Sequence, residues 1–147
     1  MEKFSSHQAK KKFIVALGIV SFALQYVWEN LQYGPFFNAS TTYMAVGMFI
    51  AALGDVAMTF IVYVIISVVS GSWKWPLKIW KRNQWILMII IALISSISFE
   101  FLAKIFKIWS YTRLALIIPG LEISVIPVLQ FLILFPLSFL LTRYILK

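Results

Sequence analysis

The chain has 147 residues, is 62% hydrophobic and only 12% charged, and has a mean hydropathy of +0.93. A water-soluble domain carries roughly 45–50% apolar and about 25% charged residues, so a soluble fold is excluded and lipid must be the solvent. The net charge of +8 comes from short basic clusters set between apolar runs, a pattern of membrane topology rather than of nucleic-acid binding.

Residues 1–12 are polar and basic, and the apolar run from Phe13 continues through Trp28 to Tyr33. It is too long for a cleaved signal and lacks a small-x-small site, so it reads as a retained signal-anchor helix over 13–33. Gly34-Pro35 breaks it, and a second span follows over 43–69, interrupted by Asp55. The loop to Asn83 carries Lys74, Lys78, Lys81 and Arg82, with Trp73, Trp75, Trp80 and Trp85 around it as an interfacial belt. A third span covers 84–106. A fourth covers 114–142 and contains Pro119, Pro127 and Pro136, which predict a kink, a tilt or an interfacial opening piece. A helix crosses the hydrocarbon core in ~20 residues, and each run reaches that length. The expectation is an all-α, single-domain bundle of four transmembrane helices.

Orientation follows from counting bases. With the N-terminus inside, the inner segments hold ten lysines and arginines, and the outer loops hold only Lys104, Lys107 and Arg113. Both termini are therefore expected in the cytoplasm, in the cell membrane of a bacterium or archaeon. Asn38-Ala39-Ser40 matches a glycosylation acceptor on the outer side, a short pattern that is common by chance.

Chemistry concentrates in the acids. Glu2 lies in the tail, whereas Glu29, Asp55, Glu100 and Glu122 all fall within the expected spans. A carboxylate in hydrocarbon costs ~2.5–3.5 kcal/mol on insertion scales, so these four are the candidate catalytic residues. At ~1.5 Å per residue, Glu29, Glu100 and Glu122 belong to the outer half, with Asp55 ~18 Å down and beneath them. Asp55 is expected to be protonated or paired with Lys104 or Arg113. Ser21, Gln25, Glu29 and Gln32 form one polar ridge on the first helix; Ser96, Glu100, Lys104 and Lys107 form another on the third. Gly47, Ala51, Gly54, Asp55 and Thr59 predict a close-packing face on the second, and Glu122, Ile126 and Gln130 align on the fourth. The plainer alternatives are that Glu100 and Lys104 neutralise each other, that Glu122 pairs with Arg113, and that Glu29 snorkels outward. Trp28, Tyr33, Trp109 and Tyr111 gather at the outer level, as interfacial anchors or as the mouth of a ligand cavity. Gln25, Trp28, Lys104, Trp109, Tyr111, Arg113 and Gln130 are the candidate ligand-binding residues.

Cysteine is absent, and the one histidine, His7, lies in the basic tail, so no metal centre or cofactor is expected. Trp109-Ser110-Tyr111, then Pro119-Gly120, Ile126-Pro127 and Phe131, resemble the small membrane lycopene cyclase domains over the last third of the chain. That resemblance implies a compact bundle holding an isoprenoid chain and acids that protonate a double bond. Where the family pattern has an acid pair, this chain has Leu129 and Gln130.

Three functions compete on these residues: a protein that binds or acts on a lipid or isoprenoid ligand, a homodimeric proton- or cation-coupled transporter, and a non-catalytic subunit or assembly factor of a membrane complex. In the first, Asp55 is the general acid, tuned by the other three carboxyls.

Overall fold

The computed structural model of the chain describes residues 6–38 and 44–147. Tyr43, Ala39 and Ser40 lie outside them, and with the last two most of the glycosylation tripeptide.

Four helices carry the fold: α1 (Ser6–Gln32), α2 (Met44–Ser70), α3 (Arg82–Ile105) and α4 (Val125–Ile145). All four are long and apolar enough to cross a membrane. The expected four-helix architecture is what is found, and the chain is a membrane protein. Its surface argues the same point. Ile19, Val68 and Ile94 are 66%, 75% and 62% exposed, while Ser21, Gln25, Thr59 and Gln130 are buried. Apolar outside and polar inside is stable only when the exterior faces lipid.

The helices alternate in direction, with α1 packing on both α2 and α4, and α3 on α4. Gly18 lets the Phe60 ring come within 3.5 Å of the place a Cβ would occupy. The expected small-residue face on α2 divides: Thr59 is fully buried against Ser21 of α1 and Asp55 is bonded from α4, whereas Gly47 and Gly54 are exposed, with no neighbouring element within 4 Å of a Cβ built on either.

In the half of the bundle nearer the termini the core is apolar: Phe13, Leu17, Val62, Ile66, Phe135 and Phe139 are fully buried. The α2–α3 loop closes that end with a short 3₁₀ turn, Trp75–Leu77. Trp75 and Trp80 are buried rather than interfacial: their indole N–H groups donate to the carbonyls of Tyr63 (3.3 Å) and Pro76 (3.2 Å), and both rings pack on Phe139. Trp85 keeps the expected surface character, and Trp73 is half-buried against the same core.

At the opposite end the chain departs from expectation. α4 begins at Val125, not 114, and residues 110–124 form two small antiparallel pairings. β1 (Phe37–Asn38) pairs with β2 (Ser110–Tyr111), and β3 (Ile117–Ile118) pairs with β4 (Ile123–Ser124). Gly120, with φ of +83°, turns the second hairpin. Ser124 then caps α4, its hydroxyl accepting from the Ile126 N–H at 3.2 Å. Pro127 falls in the first helical turn, where no backbone N–H is needed, and Pro136 lies inside the helix.

Candidate functional site

The four candidate acids separate into three environments. Gln130, one turn into α4, reaches across to α1 and α2. Its amide Nε2 lies 2.9 Å from Gln25 Oε1, 2.9 Å from Glu29 Oε1 and 2.8 Å from Asp55 Oδ2. Glu29 also accepts from Gln32 at 2.8 Å, and Gln32 in turn accepts from the Trp28 indole at 3.0 Å. Ser21 donates to Thr59 (2.9 Å), and Thr59 donates to the Asp55 carbonyl (3.0 Å). The polar ridge expected on α1 is therefore real, and all four of its members are buried.

Asp55 does not lie beneath Glu29; the two share Gln130 and are within hydrogen-bonding reach of each other. The ends of α1 and α2 are staggered rather than level. α1 ends three residues after Glu29 whereas α2 starts eleven residues before Asp55, so α2 begins ~12 Å further out. Nor does Asp55 pair with Lys104 or Arg113. Lys104 is held by another acid, and Arg113 is exposed. Hydrogen counting defines what this cluster can do. One amide NH₂ offers two hydrogens to three oxygens, so Gln130 cannot satisfy Gln25, Glu29 and Asp55 all at once.

Glu100 occupies the second environment. It is 1% exposed and accepts a hydrogen bond from the Tyr111 hydroxyl, so it does not neutralise Lys104. The two loops at this end deliver Tyr111. Phe37 pairs with Tyr111 in the β1–β2 register, the Thr112 N–H donates to the Phe36 carbonyl at 3.0 Å, and the Thr112 hydroxyl donates to the Pro35 carbonyl at 2.6 Å. Burial, then the hydrogen bond and charge of Glu100, push the Tyr111 phenol well above its usual range. Burial and the neighbouring Glu29 push Tyr33 up as well.

Glu122 is the third case and a correction. It lies in the β3–β4 turn with φ of +53°, fully exposed, outside any helix. Lys104 Nζ donates to it at 2.5 Å; this hydrogen bond and the lysine charge lower its carboxyl below the ordinary range. The apolar run 114–142 hid the break, although Pro119-Gly120 and the Ser124 cap were visible signals.

Around the last two environments an open cavity of about 830 Å³ is lined by Lys104, Lys107, Trp109, Tyr111, Asn38 and Glu122, with Ile108, Ser110 and Ile117. Lys107 was not singled out as a ligand-binding residue. It sits just past α3 in a left-handed conformation (φ +52°), and Ile108 N–H returns to the Ala103 carbonyl at 2.9 Å. This turn aims the chain back over the helix end without a glycine to announce it. Trp109 stacks edge-on to Phe37. Among the sequence candidates the cavity gathers Lys104, Trp109, Tyr111 and Glu122; Gln25, Glu29, Asp55, Trp28, Arg113 and Gln130 do not line it.

No family model, curated protein or solved structure matches the chain.

Proposed function

We propose that this protein binds an amphiphilic lipid or isoprenoid-type ligand, with the ligand's polar head in the cavity at the end of the bundle opposite the termini. The observation that carries this reading is the pairing of that cavity with a buried acid. Tyr111 lines the cavity and donates to Glu100, so a head group there lies one hydroxyl away from a carboxyl group sealed in the bundle. Lys107, for which no ion pair is found among the described residues, supplies a positive charge for an anionic or strongly polar head. Trp109 and Ile117 supply apolar wall, and the exposed apolar helix faces offer a continuous surface for the tail. The volume suits a head group, since ligand sites run to roughly 300–1,000 Å³.

In this reading Tyr111 and Glu100 form the polar contact and the route by which a proton reaches or leaves the ligand. The Glu29–Asp55–Gln130 cluster acts behind them as a proton store that also fixes the three helices. The excess of bases on the terminal side supports an orientation in which the cavity opens toward the outer leaflet.

The test is mass spectrometry and absorption of gently purified protein. The expected result is a co-purifying amphiphile retained by the wild type and at least tenfold depleted in Lys107→Ala and Tyr111→Phe. Wild-type protein that carries no amphiphile, or variants that retain it equally, overturn the reading.

A further inference from the structure

We propose that the cleft between the end of α2 and the start of α3, at the opposite end of the bundle from the cavity above, is a binding site for an anionic phospholipid. Its phosphate sits between Lys78 and Lys81, and one acyl chain runs over Val69, Ile79 and Leu87. The proposal stands independently of the first reading.

The cleft has a volume of about 310 Å³, at the lower end of ligand-site sizes. Its polar lining is Lys78 and Lys81 with Ser70, Ser72, Asn83 and Gln84, and includes no carboxylate. No ion pair of either lysine is found among the described residues. Both backbones are pinned. The Arg143 guanidinium donates to the Lys78 carbonyl at 2.9 Å, and the Lys81 N–H donates to Gln84 Oε1 at 2.8 Å. Gln84 then bridges the cleft, its Nε2 donating to Ser70 Oγ at 2.9 Å. Beneath, the buried and hydrogen-bonded Trp75 and Trp80 hold the loop on the bundle. Two lysines whose backbones are held on one loop line the same cleft, so binding an anion there orders their side chains without also ordering the loop.

The apolar wall decides between a free anion and a lipid. Val69 is 68% and Ile79 87% exposed beside the lysines. A dissolved phosphate has no use for that surface, whereas a phospholipid covers it with its chain. The level is also right: Trp73, with the Lys74 ammonium 5.3 Å from its ring centroid, places the loop where aromatic and basic side chains meet head groups.

The experiment measures retention of phosphatidylglycerol against phosphatidylcholine by the full chain in nanodiscs. Wild type is expected to retain the anionic lipid in preference. Lysines near an anionic head group contribute roughly fivefold each, so K78Q/K81Q should lose about 25-fold of that preference. K74Q/R82Q removes the same charge from beside the cleft and should lose less than about threefold. No preference in wild type, or equal losses in the two double variants, overturns the site, the latter by showing a diffuse field only. Competition by millimolar inorganic phosphate overturns the lipid as occupant. Should K78Q/K81Q fail to fold, a phosphatidylglycerol with a photoactivatable acyl chain is added to wild type. Labelling within 66–87 supports the site, and labelling spread over the bundle refutes it.

Discussion

At the scale of single residues, the meaning of each acid is set by the donor it faces. Glu100 faces one phenol, and because the Tyr111 proton is held more tightly in the folded protein, Tyr111 should ionise above its ordinary value of 10. The sign follows: neutral Tyr111 favours the fold at all lower pH, and this contribution is lost as pH rises from about the ordinary phenol value upward. An ultraviolet titration of tyrosinate in Glu100→Gln should show one phenol ionising at lower pH than in the parent; an unchanged curve would mean that burial alone, not Glu100, sets the shift. Gln130 is the opposite case, one donor serving three acceptors on two other helices. Hydrogen bonds between membrane helices are worth ~0.6 kcal/mol on average and the amide has two hydrogens to give, so Gln130→Leu should cost about 1 kcal/mol, read as a lower unfolding midpoint in detergent. A midpoint as high as the parent's would show that the Glu29–Asp55 contact holds the cluster together without the amide.

At the scale of elements, the aromatic loop shows how position overrides residue type. Four tryptophans around a basic loop look alike in sequence, but Trp75 is 2% exposed and Trp85 is 39% exposed. Trp75→Ala removes a ring packed on Phe139 with centroids 4.9 Å apart and the indole's hydrogen bond to the Tyr63 carbonyl, so a loss of ~3–5 kcal/mol is expected. Trp85→Ala should change the midpoint little, and the two melts side by side distinguish core from belt; equal effects would refute the assignment. Helix existence was legible because a 20-residue apolar run has few other fates in a membrane protein. The ridge Ser21–Gln25–Glu29–Gln32 was legible because polar residues at helical spacing on an apolar helix must turn inward. Glu122 was misread because 115–123 is as apolar as a helix while the hairpin is set by Gly120 and the Ser124 cap. The meeting of Asp55 with Glu29 was beyond reach, since it depends on the stagger of α1 and α2, which no local pattern encodes.

At the scale of the whole molecule, the core is divided: aromatic and aliphatic near the termini, amide and carboxyl toward the other end. The apolar half resembles a soluble-protein interior and can hold the helices by packing alone. The polar half is held by hydrogen bonds that lipid cannot supply, and it lies next to the cavity. The charge distribution is divided along the same axis, ten bases toward the termini and Lys104, Lys107 and Arg113 at the far end. An even number of helices puts both termini on one side, and the positive-inside rule predicts from the base excess that this side faces the cytoplasm. A membrane-impermeant thiol reagent should therefore leave Ser6→Cys and Leu146→Cys unmodified in intact cells and modify Arg113→Cys, the chain having no cysteine of its own. Ser6 and Leu146 lie beside bases that orient the chain but are not themselves basic, so those two substitutions leave the asymmetry untouched; Arg113→Cys increases it. Modification at the termini with protection at position 113 would invert the molecule. It would move the Tyr111–Glu100 cavity to the cytoplasmic face and the Lys78–Lys81 cleft to the outer leaflet, so this one labelling pattern fixes which leaflet supplies each ligand.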